Sequence, residues 1–136
     1  MQSDNAAFVH DSSDDQQAAS PAETRIRSYY ELVDRPDIPA LLELFAPDAE
    51  YFRPGYRPIV GREELAEFYW NQRVIRQGSH TVSVLVEQGS RIAVRGRFDG
   101  ELRDGSVVSV AFSDFFEFAP NGSISRRDTY FFAPLV

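Results

Sequence analysis

Residues 95–102 read Arg-Gly-Arg-Phe-Asp-Gly-Glu-Leu. As an extended strand, this stretch puts Arg95, Arg97, Asp99 and Glu101 on one face and Gly96, Phe98, Gly100 and Leu102 on the other. A second run, near the C-terminus, aligns Arg126, Asp128 and Tyr130 in the same way. A charged row of this kind is either a hydrated outer face or part of a pocket wall, and spacing alone leaves both open. The pocket case would have a definite chemistry. Two carboxylates in one apolar cavity cannot both ionise cheaply, so one keeps its proton near neutral pH. An arginine between them orients both and favours charge on the other. Together they form a general acid and a general base. Such a pair can give a proton to one atom while taking one from another.

Other side chains could contribute. Asp114 lies between Phe112 and Phe116 on one strand face, where it would be a second acid with a raised pKa or the partner of an arginine across the sheet. Tyr29 or Tyr30 could place a phenol in a pocket or pack in the core. Phe68, Tyr69 and Trp70 could form pocket wall or core. His80 reads as a satisfied or exposed histidine, and His10 as an inert tail residue. No His/Asp/Glu spacing suggests a metal, and neither a phosphate-binding glycine loop nor a Ser-His-Asp set is present. No cofactor is expected. The chain has no cysteine, hence no thiolate nucleophile or disulfide. All fourteen of its basic residues are arginine, which excludes a lysine Schiff base.

The 136 residues are enough for one domain, and 11 Phe, 6 Tyr and 1 Trp give it a markedly aromatic interior. This suits a pocket for an apolar small-molecule ligand or a sticky dimer face. The net charge of −7 is uneven. Residues 1–24 hold Asp4, Asp11, Asp14, Asp15 and Glu23 and no base, so the rest of the chain is nearly neutral. A basic stripe for nucleic acid is missing. No apolar run reaches the roughly 18 residues that a membrane helix needs. A basic start followed by an apolar stretch is also missing, so no secretory leader and a cytoplasmic location are expected.

The elements that must position these groups follow from periodicity. Residues 1–20 are acidic and aperiodic and are expected to be a disordered tail, followed by a single domain over 21–136. Ser20, Pro21 and Glu23 form a helix start of the capping-box type. Ile26, Tyr29, Tyr30 and Val33 then mark one helical face, and Ile38, Leu41, Leu42 and Phe45 a second that runs up to Pro47. A short strand is expected at 49–52, a bend at 53–61, and a third helix at 62–77 capped by Gly78. Four strands follow, at 80–88, 91–102, 106–118 and 123–133, separated by turn residues. Helices first and an antiparallel sheet after give an α+β fold.

This order, with the stretches LLELFAPDAEYF, GREELAEFY and FFEFAPNGSISRRDTYF, resembles the nuclear-transport-factor-2-like superfamily. That group includes SnoaL-like polyketide cyclases, ketosteroid isomerases and limonene epoxide hydrolases. The resemblance spans roughly residues 22–134. It implies a cone-shaped curved sheet wrapped on three N-terminal helices, with one deep pocket. Within it, Arg97-Phe98-Asp99 and Arg127-Asp128-Thr129-Tyr130-Phe131 look like the two catalytic strands of limonene epoxide hydrolases, and Tyr51 matches a tyrosine of their first strand. The resemblance thus favours the pocket reading and implies Asp128 as base, Asp99 as acid and Arg97 as bridge. Tyr51, Arg53, Tyr30, Asp114 and Trp70 would contact substrate. Arg53, followed by Pro54, departs from the pattern, because relatives carry an Asn or an Asp base near that place. An arginine cannot abstract a proton there. It could bind a substrate carbonyl or carboxylate, or lock a pair with Glu50 or Glu64.

The implied activity is acid–base opening of an epoxide on an apolar oxygenated small molecule, polyketide- or terpenoid-like, by water or an internal hydroxyl. The alternatives are a polyketide cyclase that forms a pyran or polyether-type ring without an epoxide, and a non-catalytic ligand-binding module. A homodimer is expected, because the strands carry apolar residues on both faces.

Overall fold

The computed structural model describes residues 19–133. Most of the expected tail lies outside the described residues. In chain order the elements are α1 (Pro21–Asp34), α2 (Ile38–Glu43), β1 (Phe45–Phe52), β2 (Ile59–Val60), α3 (Arg62–Glu67) with a π-helical turn over Phe68–Gln72, β3 (Ile75–Gln88), β4 (Arg91–Leu102), β5 (Val107–Phe118) and β6 (Ile124–Phe131). The fold is α+β, as expected. No helix among the described residues is long and apolar enough to cross a membrane.

The six strands form one curved sheet in the order β2-β1-β6-β5-β4-β3. All neighbours are antiparallel except β1 and β6, which pair in parallel. Register shifts in β3, at Ile75/Gln77 and Val82/Val84, and in β1 and β6 bend the sheet. The helices fill the concave side. Ile26, Tyr29, Tyr30 and Val33 of α1 are buried there, with Leu41 of α2 and Leu65 of α3, against Ile92, Val94, Phe112 and Phe116. Ser20 caps α1 by accepting from the Glu23 N–H. The return half of the expected capping box is not formed, because Glu23 pairs with Arg27 at 3.0 Å.

Two element boundaries differ from the expectation. The second helix ends at Glu43, and β1 begins at Phe45, ahead of Pro47. The third helix stops near Gln72, and Gly78 lies inside β3 instead of capping it. Gly78 and Gly100 face each other across β3 and β4, and a Cβ on either would come within 2.5 Å of the Phe98 ring. These two glycines clear the space in which Phe98 lies flat on the inner face.

Candidate active site

Inside the bend lies a largely apolar cavity of about 360 Å³. β1 contributes Tyr51, and Arg53 follows just past its end. α1 contributes Tyr29, the π-helical turn Phe68 and Tyr69, β3 His80, and β6 Arg127 and Thr129. The apolar wall comes from Phe98, Val110, Phe112 and their neighbours. No Asp or Glu lines it among the described residues.

The residues expected to be catalytic lie outside this cavity. Arg97 and Asp99 are exposed, while Phe98 between them is 4% exposed and faces in. Arg97 reaches Ser109 Oγ at 3.4 Å on the outer face. Asp128 also faces out, where Arg126 donates to it through Nε at 2.9 Å and Nη2 at 3.2 Å and stacks on Phe52. Nor can the two carboxylates act as a pair. Asp99 is opposite Ser109 on β5, and Asp128 is opposite Phe115. These β5 positions are six residues apart, roughly 20 Å along the strand. The alternation was right and the face was wrong: one residue of phase sends a whole set of side chains to the other side.

The expected substrate contacts divide. Tyr51 and Arg53 line the cavity. Of the two α1 tyrosines it is Tyr29 that lines it, while Tyr30 turns its hydroxyl to Asp114 Oδ2 at 2.5 Å. Asp114 is wholly buried behind the wall. Trp70 is 57% exposed and lines an adjoining groove instead of the cavity.

Asp114 instead anchors the site. Its Oδ1 accepts from Arg127 Nε at 3.2 Å and Thr129 Oγ1 at 2.5 Å. Its Oδ2 accepts from Arg127 Nη2 at 3.0 Å and from Tyr30. Four donors surround the carboxylate, and it does not line the cavity, so it does not stand against a substrate as an acid. It is the cross-sheet partner of an arginine, one of the two roles its position among phenylalanines allowed. Burial opposes the charge on Arg127, but Asp114 and the neighbouring phenols hold its pKa well above the ordinary guanidinium value.

Arg127 passes this order into the cavity. Its Nη1 donates to the Tyr29 hydroxyl, and the Tyr29 and Tyr69 hydroxyls are 2.6 Å apart. One proton lies between the two phenols. Whichever of them donates it, the other hydroxyl hydrogen has no partner among the described residues, and both rings line the cavity. Tyr51, under the Arg127 guanidinium at 4.5 Å, has its hydroxyl 3.3 Å from Thr129 Oγ1. Burial raises the pKa of Tyr29 and of Tyr51, so these phenols stay protonated as donors.

A second polar unit is formed by His80, which is satisfied, one of the two roles expected of it. His80 Nδ1 is 2.6 Å from Asp34 Oδ1, and Asp34 Oδ2 accepts from the His80 backbone N–H at 2.7 Å. Two contacts to one carboxylate fix the ring. In the neutral ring with Nδ1–H donated to Asp34, Nε2 carries the lone pair. It makes no hydrogen bond among the described residues, and His80 lines the cavity between Phe98 and Phe112. An imidazole held this way by a carboxylate is set up to take and return a proton at Nε2. Asp34 is the last residue of α1 and His80 lies 46 positions on, so no local spacing links them. Arg127 had a signal: a carboxylate between inward phenylalanines needs a buried cation, and β6 offers one at the facing phase.

Comparison with known proteins agrees with this architecture. The family model described as "SnoaL-like domain" matches residues 26–127. No functionally curated protein matches the sequence. An NTF2-like protein of unknown function from Burkholderia pseudomallei K96243 is similar in structure, with a TM-score of 0.76 at 23% identity over 84% of this chain and 92% of that one. The epoxide hydrolase/cyclase-like enzyme SalBIII, described in pyran ring formation in the polyether salinomycin, has a TM-score of 0.72 at 19% identity over 82% of this chain and 90% of that one. A candidate polyketide cyclase from Pseudomonas putida KT2440 has a TM-score of 0.72 at 21% identity over 83% of this chain and 92% of that one.

Proposed function

We propose, from the premise that the chain belongs to the SnoaL-like domain family, that it is an acid–base enzyme acting on an apolar, carbonyl-bearing small molecule of the polyketide or terpenoid kind. One observation carries this reading: His80, fixed by Asp34, lines an apolar cavity together with phenol hydroxyls ordered by Arg127. The base and the donors serve opposite ends of one reaction. His80 removes a proton from the carbon next to the carbonyl, and the electron pair moves onto the carbonyl oxygen. The spare phenol hydrogen of the Tyr29–Tyr69 pair meets that oxygen as its charge grows. His80 then returns the proton to a hydroxyl on the β-carbon, which leaves as water and gives an enone.

Run in the adding direction, the same groups close a ring. His80 takes the proton of the substrate's own hydroxyl, whose oxygen bonds to the β-carbon of an enone. The resulting enolate is then protonated on carbon. This is the ring-forming alternative without an epoxide, and the likeness to a protein described in pyran ring formation supports it. Epoxide opening by two carboxylates loses its support, since neither Asp99 nor Asp128 reaches the cavity.

The test is proton exchange. Incubated in D₂O with 2-tetralone and with a bicyclic β-hydroxy ketone, the protein should speed deuterium uptake next to the carbonyl, read by NMR. His80→Gln should cut that rate about 10²-fold or more and leave the fold intact. Asp34→Asn should cut it less. Exchange no faster than in buffer would leave a ligand-binding module. Exchange unaffected by His80→Gln would remove the dyad from the chemistry.

A further inference from the structure

The cavity wall carries three guanidinium groups, Arg53, Arg73 and Arg127, and no carboxylate among the described residues. Arg127 is neutralised by Asp114 at 3.0 Å. The other two have no ion-pair partner among the described residues. Arg53 is held at the mouth by aromatic rings, its guanidinium carbon 4.2 Å from the Tyr56 centroid and 4.4 Å from the Phe68 centroid. Its Nε is buried and makes no hydrogen bond. The two glutamates that could have locked it do not. Glu64 Oε1 accepts from the Val60 N–H at 2.8 Å, and Glu50 alternates to the face of β1 away from Tyr51. Arg73 follows the π-helical turn and is half-buried, and its carbonyl accepts from Arg103 Nε at 2.5 Å.

A guanidinium partly withdrawn from water, with a buried N–H left open, is unfavourable unless something else supplies an acceptor. Proteins pair such groups, and here none of the described residues does so. Arg53 also stands two residues past Tyr51, roughly 6–7 Å further along the chain towards the mouth. A molecule that reaches the inner phenols can therefore have its far end at Arg53.

We infer that Arg53, assisted by Arg73, is the subsite for a carboxylate on the substrate, so that the substrate class is an apolar carbonyl compound bearing a carboxylic acid. This rests on the cavity being the substrate site, as proposed above. The planar fork of a guanidinium matches the two oxygens of a carboxylate. The aromatic rings around it suit the flat or alicyclic body that joins the acid to the reacting carbonyl.

A matched pair of ligands tests the subsite. Binding of 2-naphthoate and of its neutral isostere 2-naphthamide to the full chain is measured by titration calorimetry. The wild type should bind the acid at least about tenfold more tightly, the size of one charge-assisted hydrogen bond. Arg53→Gln should abolish the preference, and Arg53→Lys, which keeps the charge and loses the fork, should fall between. Arg73→Gln should narrow it. Equal binding of acid and amide by the wild type overturns the inference without any variant. So does a preference that survives Arg53→Gln, or binding of neither compound up to about 1 mM. The two proposals fail separately. A wild-type acid preference that His80→Gln leaves unchanged, alongside absent proton exchange, keeps the anion subsite and removes the catalytic reading. Proton exchange without an acid preference does the reverse.

Discussion

Arg127 and Asp128 are neighbours in the chain and lie on opposite faces of the same sheet. Arg127 is 6% exposed and gives its N–H groups to Asp114, Tyr29 and Tyr69. Asp128 lies on the outer face and is held by one arginine two residues away. On β4 the contrast repeats between inward Phe98 and outward Asp99. On the face packed against the helices, charge is costly unless its donors and acceptors are matched. The other face needs no such matching, and its charges are correspondingly cheap to keep or lose. Density of charged residues in a sequence therefore points to the face where charge matters least.

The largest break in this comparison should come from Asp114→Asn. It leaves the buried Arg127 without a counter-charge and puts an amide NH₂ against donors. Removing one partner of a buried pair costs about 3–5 kcal/mol, a large part of the roughly 5–15 kcal/mol that holds a domain together. Urea unfolding should show a large fall in midpoint or an insoluble protein. A loss under about 1 kcal/mol would mean that the inner pair is no more costly to break than an outer one.

The outer face also has an apolar part, with Phe115 50% and Tyr130 57% exposed and their rings packed edge to face at 5.8 Å. We propose that a second copy of the chain covers it, giving the homodimer that two-sided apolar strands suggest. Phe115→Asp should then shift sedimentation at micromolar concentration from dimer to monomer while the cavity keeps its shape. A wild type that sediments as a monomer would remove the proposal.

A third, smaller effect lies in alkali. Burial raises Tyr29, Tyr30 and Tyr51, Tyr30 with added help from Asp114. Unfolded tyrosines ionise near pH 10, where these three keep their protons. The folded state then binds more protons than the unfolded one, so stability is intact below about pH 10 and falls as pH rises beyond it. Absorbance at 295 nm should show these three of the six tyrosines ionising only as the protein unfolds. Smooth titration of all six in the folded protein would mean that burial does not hold these three phenols protonated.

How much of this could be read from the chain differs by level. The strands at 91–102 and near 107–118 follow from alternation and turn residues, and they stand where expected. The π-helical turn was hidden because Phe68, Tyr69 and Trp70 fit a helical period equally well. Tyr51, Arg53, Tyr30 and Asp114 were singled out from residue type and resemblance. Which of them open into the cavity depended on the phase of the sheet, and alternation has no sign until one face is covered. His80 and Asp34 meet only because β3 runs back past the end of α1.

The smallest expected effect is the sharpest check on that phase. Asp99→Asn and Asp128→Asn, singly or together, should leave the deuterium exchange rate unchanged within about twofold, because neither carboxylate lines the cavity. Stability should shift by no more than about 0.5 kcal/mol for Asp99, which is exposed, and by up to about 1 kcal/mol for Asp128, whose arginine partner is itself partly exposed. The double variant should be the sum of the two, since the residues lie two strands apart and share no partner. A 10²-fold loss in either single variant, with the double no worse, would mark a coupled catalytic pair. That outcome would require the outer face of β4 and β6 to be the one that binds substrate, and the inner network of Asp114 and Arg127 would then be purely structural.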